Sequence, residues 1–212
     1  MSKRLFLATL SLVVAAFAGG YAVGRHDAPV LMPPAIDGFL WPASPRLQAF
    51  SLRDEMGRDF TEASLAHHWT LLFFGYTYCP DVCPGTLAVL KQVASALQDT
   101  PALASQLQVV FVSVDAARDT PEVLRAYVRH FNPAFRAATA PLEQLHLLTR
   151  QLDADVARIA DGGSDDYWFD HSTSIYLIAP DLRITGAFES PHEASDLAAR
   201  LRGIYAFLTA AG

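Results

Sequence analysis

The sequence predicts an α/β fold in which parallel strand-helix crossovers are followed by an antiparallel edge. Three observations carry this. Residues 69–75 (WTLLFFG) and 107–114 (LQVVFVSV) are continuous apolar runs, the pattern of strands buried on both faces. Each run is followed by apolar residues at helical spacing. Near the C-terminus, residues 174–178 and 183–188 flank Ala179-Pro180-Asp181-Leu182, which reads as a hairpin.

Taken in order, residues 1–24 form a candidate membrane anchor or signal peptide, 25–45 a linker and 46–209 the folded domain. Lys3 and Arg4 precede an uncharged run at 5–23, close to the ~20 residues that cross a bilayer. The basic residues should stay in the cytoplasm, which sends the rest of the chain outside. Ala16-Phe17-Ala18 resembles a cleavage site, but the run exceeds the usual length of about 7–15 residues for a signal-peptide core. The expectation is a single-pass protein of the bacterial inner membrane, its domain facing the periplasm. Five prolines between Pro29 and Pro45 make the following stretch a semi-rigid spacer.

Residues 50–60 (FSLRDEMGRDF) predict an extra N-terminal hairpin turning at Glu55 to Gly57. After the first buried strand, Leu87, Leu90, Val93, Ala94 and Leu97 mark a helix, with Pro84 suited to its first position. After the second, Thr120 is an N-cap and Pro121 the first helical residue, ahead of the stripe Val123, Leu124, Tyr127, Val128 and Phe131. Further helices are predicted at 142–152 and 194–208. This order of elements is thioredoxin-like.

With 51% hydrophobic and 18% charged residues, a chain of 212 residues can bury a core. A net charge of -6 without Lys/Arg clustering excludes nucleic acid as a partner.

The chemistry concentrates in YTYCPDVCP (76–84), which holds both cysteines, Cys79 and Cys83. Proline disfavours the helical region for the residue before it, so both are expected outside the helix, with Cys83 as N-cap, where free N–H groups favour a thiolate. Three readings compete: a structural disulfide, a redox dithiol and two soft metal ligands. A bridge closing so short a loop removes little chain entropy, which makes the first the weakest. Thioredoxin-type enzymes carry C-x-x-C here, and the extra residue lets two sulfurs flank one ion.

Two thiolates rarely complete a metal site, so a third ligand is sought. His26 lies in the spacer, His67 and His68 precede the first buried strand, His130 and His146 sit on helices and His192 precedes the last helix. None has surroundings that suggest ligation. His171 differs because it ends a loop just before the strand at 174–178, which should pack against the cysteine loop. The residues alone leave it either a ligand or an ordinary hydrogen-bonding ring. Asp170 is a candidate to orient it.

FFGYTYCPDVCPGTL, VSVDAARDTPEVLRAY and FDHSTSIYLIAPD together resemble the Sco/SenC family of copper-binding assembly factors for cytochrome c oxidase, across about residues 45–209. The resemblance implies a thioredoxin-like fold and copper, Cu(I) or Cu(II), held by Cys79, Cys83 and His171. It implies a membrane-tethered chaperone delivering copper to the CuA-bearing subunit of the oxidase, with other periplasmic copper chaperones or thiol reductases as further partners. Four departures concern the partner surface rather than the ligands: Tyr78 for a histidine, Ala116 for a proline, Ala137-Ala138-Thr139-Ala140 for a Thr-Gly pair and His67-His68 for Gly-Lys. The runner-up is a thiol:disulfide reductase using Cys79 and Cys83. Against it, His171-Ser172-Thr173 stands where such enzymes usually carry proline. Asp81, Asp115 and Asp119 read as loop-shaping or capping residues, and Asp161, Asp165, Asp166 and Asp170 as a solvated acidic loop beside Trp168.

Overall fold

The computed structural model describes residues 39–41, 43–160 and 167–210. The chain divides into Met1–Met32 and Pro33–Gly212. The first unit, and with it the predicted anchor at 5–23, lies outside the described residues, as do most of the spacer and the acidic stretch at 161–166. Among the described residues no helix is long and apolar enough to cross a membrane.

Strand β3 (Trp69–Gly75) is buried along its whole length. Successive side chains of a strand alternate between faces. Accordingly Trp69, Leu71 and Phe73 join one apolar layer with Val109 and Phe111, while Leu72 and Phe74 join the opposite layer with Val110 and Val112. Each fully buried Leu, Val or Phe contributes about 1.5–3 kcal/mol relative to exposure. The sheet centre is therefore the stable frame to which the site is attached.

β3 pairs in parallel with β4 (Leu107–Ser113), and β4 with β5 (Arg136–Thr139). The hairpin β1 (Leu52–Asp54) and β2 (Asp59–Phe60) adds antiparallel to β5. On the other side β8 (Ile175–Ile178) and β9 (Ile184–Phe188) complete the order β2-β1-β5-β4-β3-β8-β9. Helices α1 (Val82–Ala96), α2 (Pro121–Phe131) and α4 (Ala194–Ala210) pack on the first layer through Leu87, Leu90, Leu124, Val128, Leu197 and Leu201. Helix α3 (Leu142–Thr149) covers the second through Leu145 and Leu148.

The predicted N-terminal hairpin turns where expected. Gly57 adopts φ +75°, open to glycine at little cost, and Asp54 Oδ1 accepts from the N–H of Met56 at 2.9 Å and of Arg58 at 2.8 Å. Thr120 caps α2 as predicted, its hydroxyl accepting from Val123 N–H. Two features differ from the sequence reading. β5 has only the short, alanine-rich RAAT to announce it, and alanine is weak in strand preference. The segment read as a loop before residue 174 is instead a two-stranded sheet, β6 (Val156–Ala160) and β7 (Tyr167–His171).

Candidate metal centre

The cysteines lie at the C-terminal ends of the parallel strands, where open α/β sheets place their sites. β3 ends at Gly75, and a turn follows in which Cys79 N–H donates to the Tyr76 carbonyl at 3.2 Å. Cys83 is not the N-cap. The helix begins at Val82 and Cys83 is its second residue, with Pro84 third. This is possible because the first N–H groups of a helix have no intrahelical partner, so proline there forfeits nothing. The Cys83 side chain turns inward and is 1% exposed. A Cβ on Gly75 would stand 2.6 Å from its sulfur, so the residue must be glycine to admit it.

Burial pushes the Cys83 thiol well above its usual range, opposed by a hydrogen bond from the Tyr76 main chain and reinforced by the nearby Cys79 sulfur. The expected helix-stabilised thiolate at Cys83 therefore meets an opposing force: burial of the sulfur favours the neutral thiol. Both cysteines are free, Cys79 partly exposed.

His171 is the last residue of β7, not part of a loop. Tyr167, Phe169 and His171 alternate onto one face, and Tyr76 packs against the latter two, with ring centroids at 5.6 and 6.0 Å. Ser172, not Asp170, orients the imidazole: Nδ1 lies 3.1 Å from the Ser172 carbonyl, to which it donates as the N–H tautomer. That leaves the Nε2 lone pair toward Cys83 Sγ, 3.7 Å away. Asp170 is exposed, on the opposite face of the strand.

The ligand atoms of Cys79, Cys83 and His171 lie within 4.8 Å of one another, the one such group among the described residues. With metal-sulfur and metal-nitrogen bonds of about 2.3 and about 2.0 Å, a three- or four-coordinate ion holds its sulfur and nitrogen ligands about 3.5–3.7 Å apart. The Cys83–His171 separation of 3.7 Å already falls in that range, while the Cys79 sulfur, within 4.8 Å of the other two ligand atoms, closes on the ion through its loop. His192 is hydrogen-bonded instead, Nε2 to the Thr173 carbonyl at 2.9 Å. Asp81 makes no side-chain cap; its main-chain carbonyl accepts from Gly85 N–H.

Asp115 and Asp119 are structural, though not as local caps. Asp119, fully buried, accepts from Thr77 N–H at 2.9 Å, Thr77 Oγ1 at 2.5 Å and Ser113 Oγ at 2.5 Å, fastening the start of the cysteine loop to the end of β4. Asp115, equally buried, accepts from Arg118 Nε and, at 2.9 Å, from the Tyr167 hydroxyl. Sequence reasoning missed Arg118 and Tyr167 as parts of the site. The alternation of Tyr167, Phe169 and His171 was the available signal.

Fold and site together define a thioredoxin-like α/β domain bearing a centre of two sulfurs and one imidazole. The SCO1/SenC family model matches residues 42–206, and the chain belongs to that family. It is 35% identical over 153 residues to the mitochondrial SCO2 homolog of Bos taurus, covering 72% of this chain and 57% of the relative. It is 33% identical over the same length to a putative copper-binding protein of Stutzerimonas stutzeri, covering 72% and 73%. Among solved structures, the copper-bound ScoI of Arabidopsis thaliana superimposes with a TM-score of 0.69 at 29% identity, covering 76% of this chain and 99% of that one. The copper-bound ScoI of Bradyrhizobium japonicum gives 0.65 at 30%, covering 74% and 98%.

Proposed function

We propose that this protein is a copper chaperone that binds one copper ion through Cys79, Cys83 and His171 and delivers it to the CuA site of cytochrome c oxidase during assembly. The observation that carries it is the convergence of the three ligand atoms within 4.8 Å. Thiolates favour Cu(I), and zinc in a closed site would ask for a fourth protein ligand that the group lacks among the described residues. Two related solved structures, the ScoI proteins of Arabidopsis thaliana and Bradyrhizobium japonicum, hold bound copper. With two thiolates and a neutral imidazole, a bound Cu(I) would be three-coordinate, and the centre as a whole would carry one negative charge. An incoming thiolate of the recipient then adds to copper and displaces these ligands in turn, with no change of oxidation state.

The uncharged run at 5–23 behind Lys3 and Arg4 supports tethering to the bacterial inner membrane with the domain in the periplasm. The resemblance to the family supports the CuA-bearing subunit as recipient, with other periplasmic copper chaperones or thiol reductases acting upstream. Elemental analysis of the purified full chain tests the metal reading. One copper per chain is expected, lost in Cys79→Ser and Cys83→Ser and strongly weakened in His171→Ala. Retention of tight binding by His171→Ala would refute it.

One observation favours a second reading, a thiol:disulfide reductase for CuA cysteines. Cys79 is partly exposed and Cys83 buried, the arrangement of an attacking and a resolving thiol. Substantial reductase turnover, unchanged in His171→Ala, together with negligible copper binding by the parent, would put this reading first.

A further inference from the structure

The segment 115–119 supplies no ligand atom, yet its side chains touch both arms of the centre. We infer that Arg118 is a positioning residue that clamps the cysteine loop to the histidine hairpin, so that the ligand atoms meet. This rests on the metal-site reading above.

The guanidinium carbon of Arg118 lies 3.8 Å from the ring centroid of Tyr167 and 4.7 Å from that of Tyr78. Tyr78 immediately precedes Cys79, and Tyr167 begins the strand that ends in His171. Both terminal nitrogens of Arg118 also donate to the Tyr167 carbonyl at 3.3 Å, while Nε is held by the buried Asp115 carboxylate. The Tyr167 hydroxyl returns to the same carboxylate. Arg158, opposite Phe169 in the hairpin, lies 4.0 Å from the Tyr167 ring. One planar cation thus joins a side chain of the cysteine loop, the main chain of the histidine hairpin and a fixed point at the end of β4.

The plain alternative is an ion pair between the half-buried Arg118 and the buried Asp115 that serves stability alone. The two differ in what they require. Neutralising Asp115 needs only a positive charge, which lysine also supplies. Lying between two rings while forking onto a carbonyl needs the flat guanidinium. Arg118→Lys therefore separates charge from clamp.

The test compares the parent chain with Arg118→Lys, each with and without His171→Ala. It reads Cu(I) affinity by chelator competition and, in metal-free protein, amide hydrogen exchange along β6 and β7. Arg118→Lys is expected to keep its melting temperature and to exchange faster in β6 and β7. It should weaken Cu(I) binding about 10- to 100-fold, the range for groups that orient ligands. On the His171→Ala background the same change should cost less than about twofold, since the two act through one contact. Parental affinity with unchanged exchange, or an equal loss on both backgrounds, overturns the proposal. Should Arg118→Lys fail to fold, Tyr78→Ala takes its place, the ring being 65% exposed. A roughly threefold loss supports the clamp and parental affinity overturns it. A parent that binds no copper refutes the metal reading instead, and the exchange measurement, which needs no metal, then decides the role of Arg118.

Discussion

Cys83 Sγ and His171 Nε2 face one another at 3.7 Å across 88 residues of chain. One sits in the first turn of a helix, the other at the end of a hairpin strand. Their meeting depends on a small set of packing and hydrogen-bonding contacts, each of which can be broken singly.

Gly75 leaves space for the Cys83 sulfur. A Cβ there would stand 2.6 Å from the sulfur and 2.7 Å from Cε2 of Phe111, both set in the core. Gly75→Ala is expected to destabilise the domain by about 1–3 kcal/mol through overpacking. It should weaken copper binding as well, because the sulfur is the atom displaced. Urea unfolding and Cu(I) competition on the same preparation check both.

Asp119 fastens the start of the cysteine loop to β4 with three accepted hydrogen bonds. Asp119→Ala leaves the buried Ser113 hydroxyl without its acceptor, a loss of about 1–3 kcal/mol, and frees the N–H and hydroxyl of the half-buried Thr77. The loop should loosen more than the sheet. Hydrogen exchange at residues 77–79 is expected to rise further than exchange within β3.

Copper binding is expected to strengthen with pH. Burial raises the Cys83 thiol above its usual range, so near neutrality the metal-free protein holds that proton and must release it when the sulfur ligates. Each displaced proton makes apparent affinity rise about tenfold per pH unit, as long as the group is protonated in the free protein. Cu(I) competition between pH 6 and 8 in a buffer that does not bind copper reads the slope. A flat profile would mean that Cys83 is already ionised or does not ligate.

At the other end of the sheet, burial works to raise Asp54. The N–H groups of Arg58 and Met56 and the Arg58 side chain more than offset it, leaving the carboxyl below its ordinary range. A carboxyl lowered by folding adds stability above its unfolded value, about pH 3.9, and loses it as pH falls through the folded value. Asp54→Asn should therefore lower the melting temperature at pH 7 and narrow its gap from the parent below pH 4.

The frame was legible in the sequence because its signals are local. WTLLFFG and LQVVFVSV read as buried strands, Thr120-Pro121 as a helix start and residues 50–60 as a hairpin, and each is found there. β5 escaped because RAAT carries no strong strand preference, and its pairing with β1 and β4 is what makes it a strand. β6 and β7 escaped because the acidic, glycine-containing sequence at 161–166 reads as a loop while each strand offers only five residues of weak alternation.

By itself the sequence determined which atoms are available: two thiols in one loop, a candidate imidazole ahead of a later strand and the spacing that suits a soft ion. Only the tertiary structure decided that Cys83 lies inside the first helical turn, with its thiol proton held by burial, and that Ser172 orients His171. The reason is that ligand type is a property of single residues. Burial, ring orientation and the reach of Arg118 between two tyrosines exist only once distant segments have packed against the same sheet.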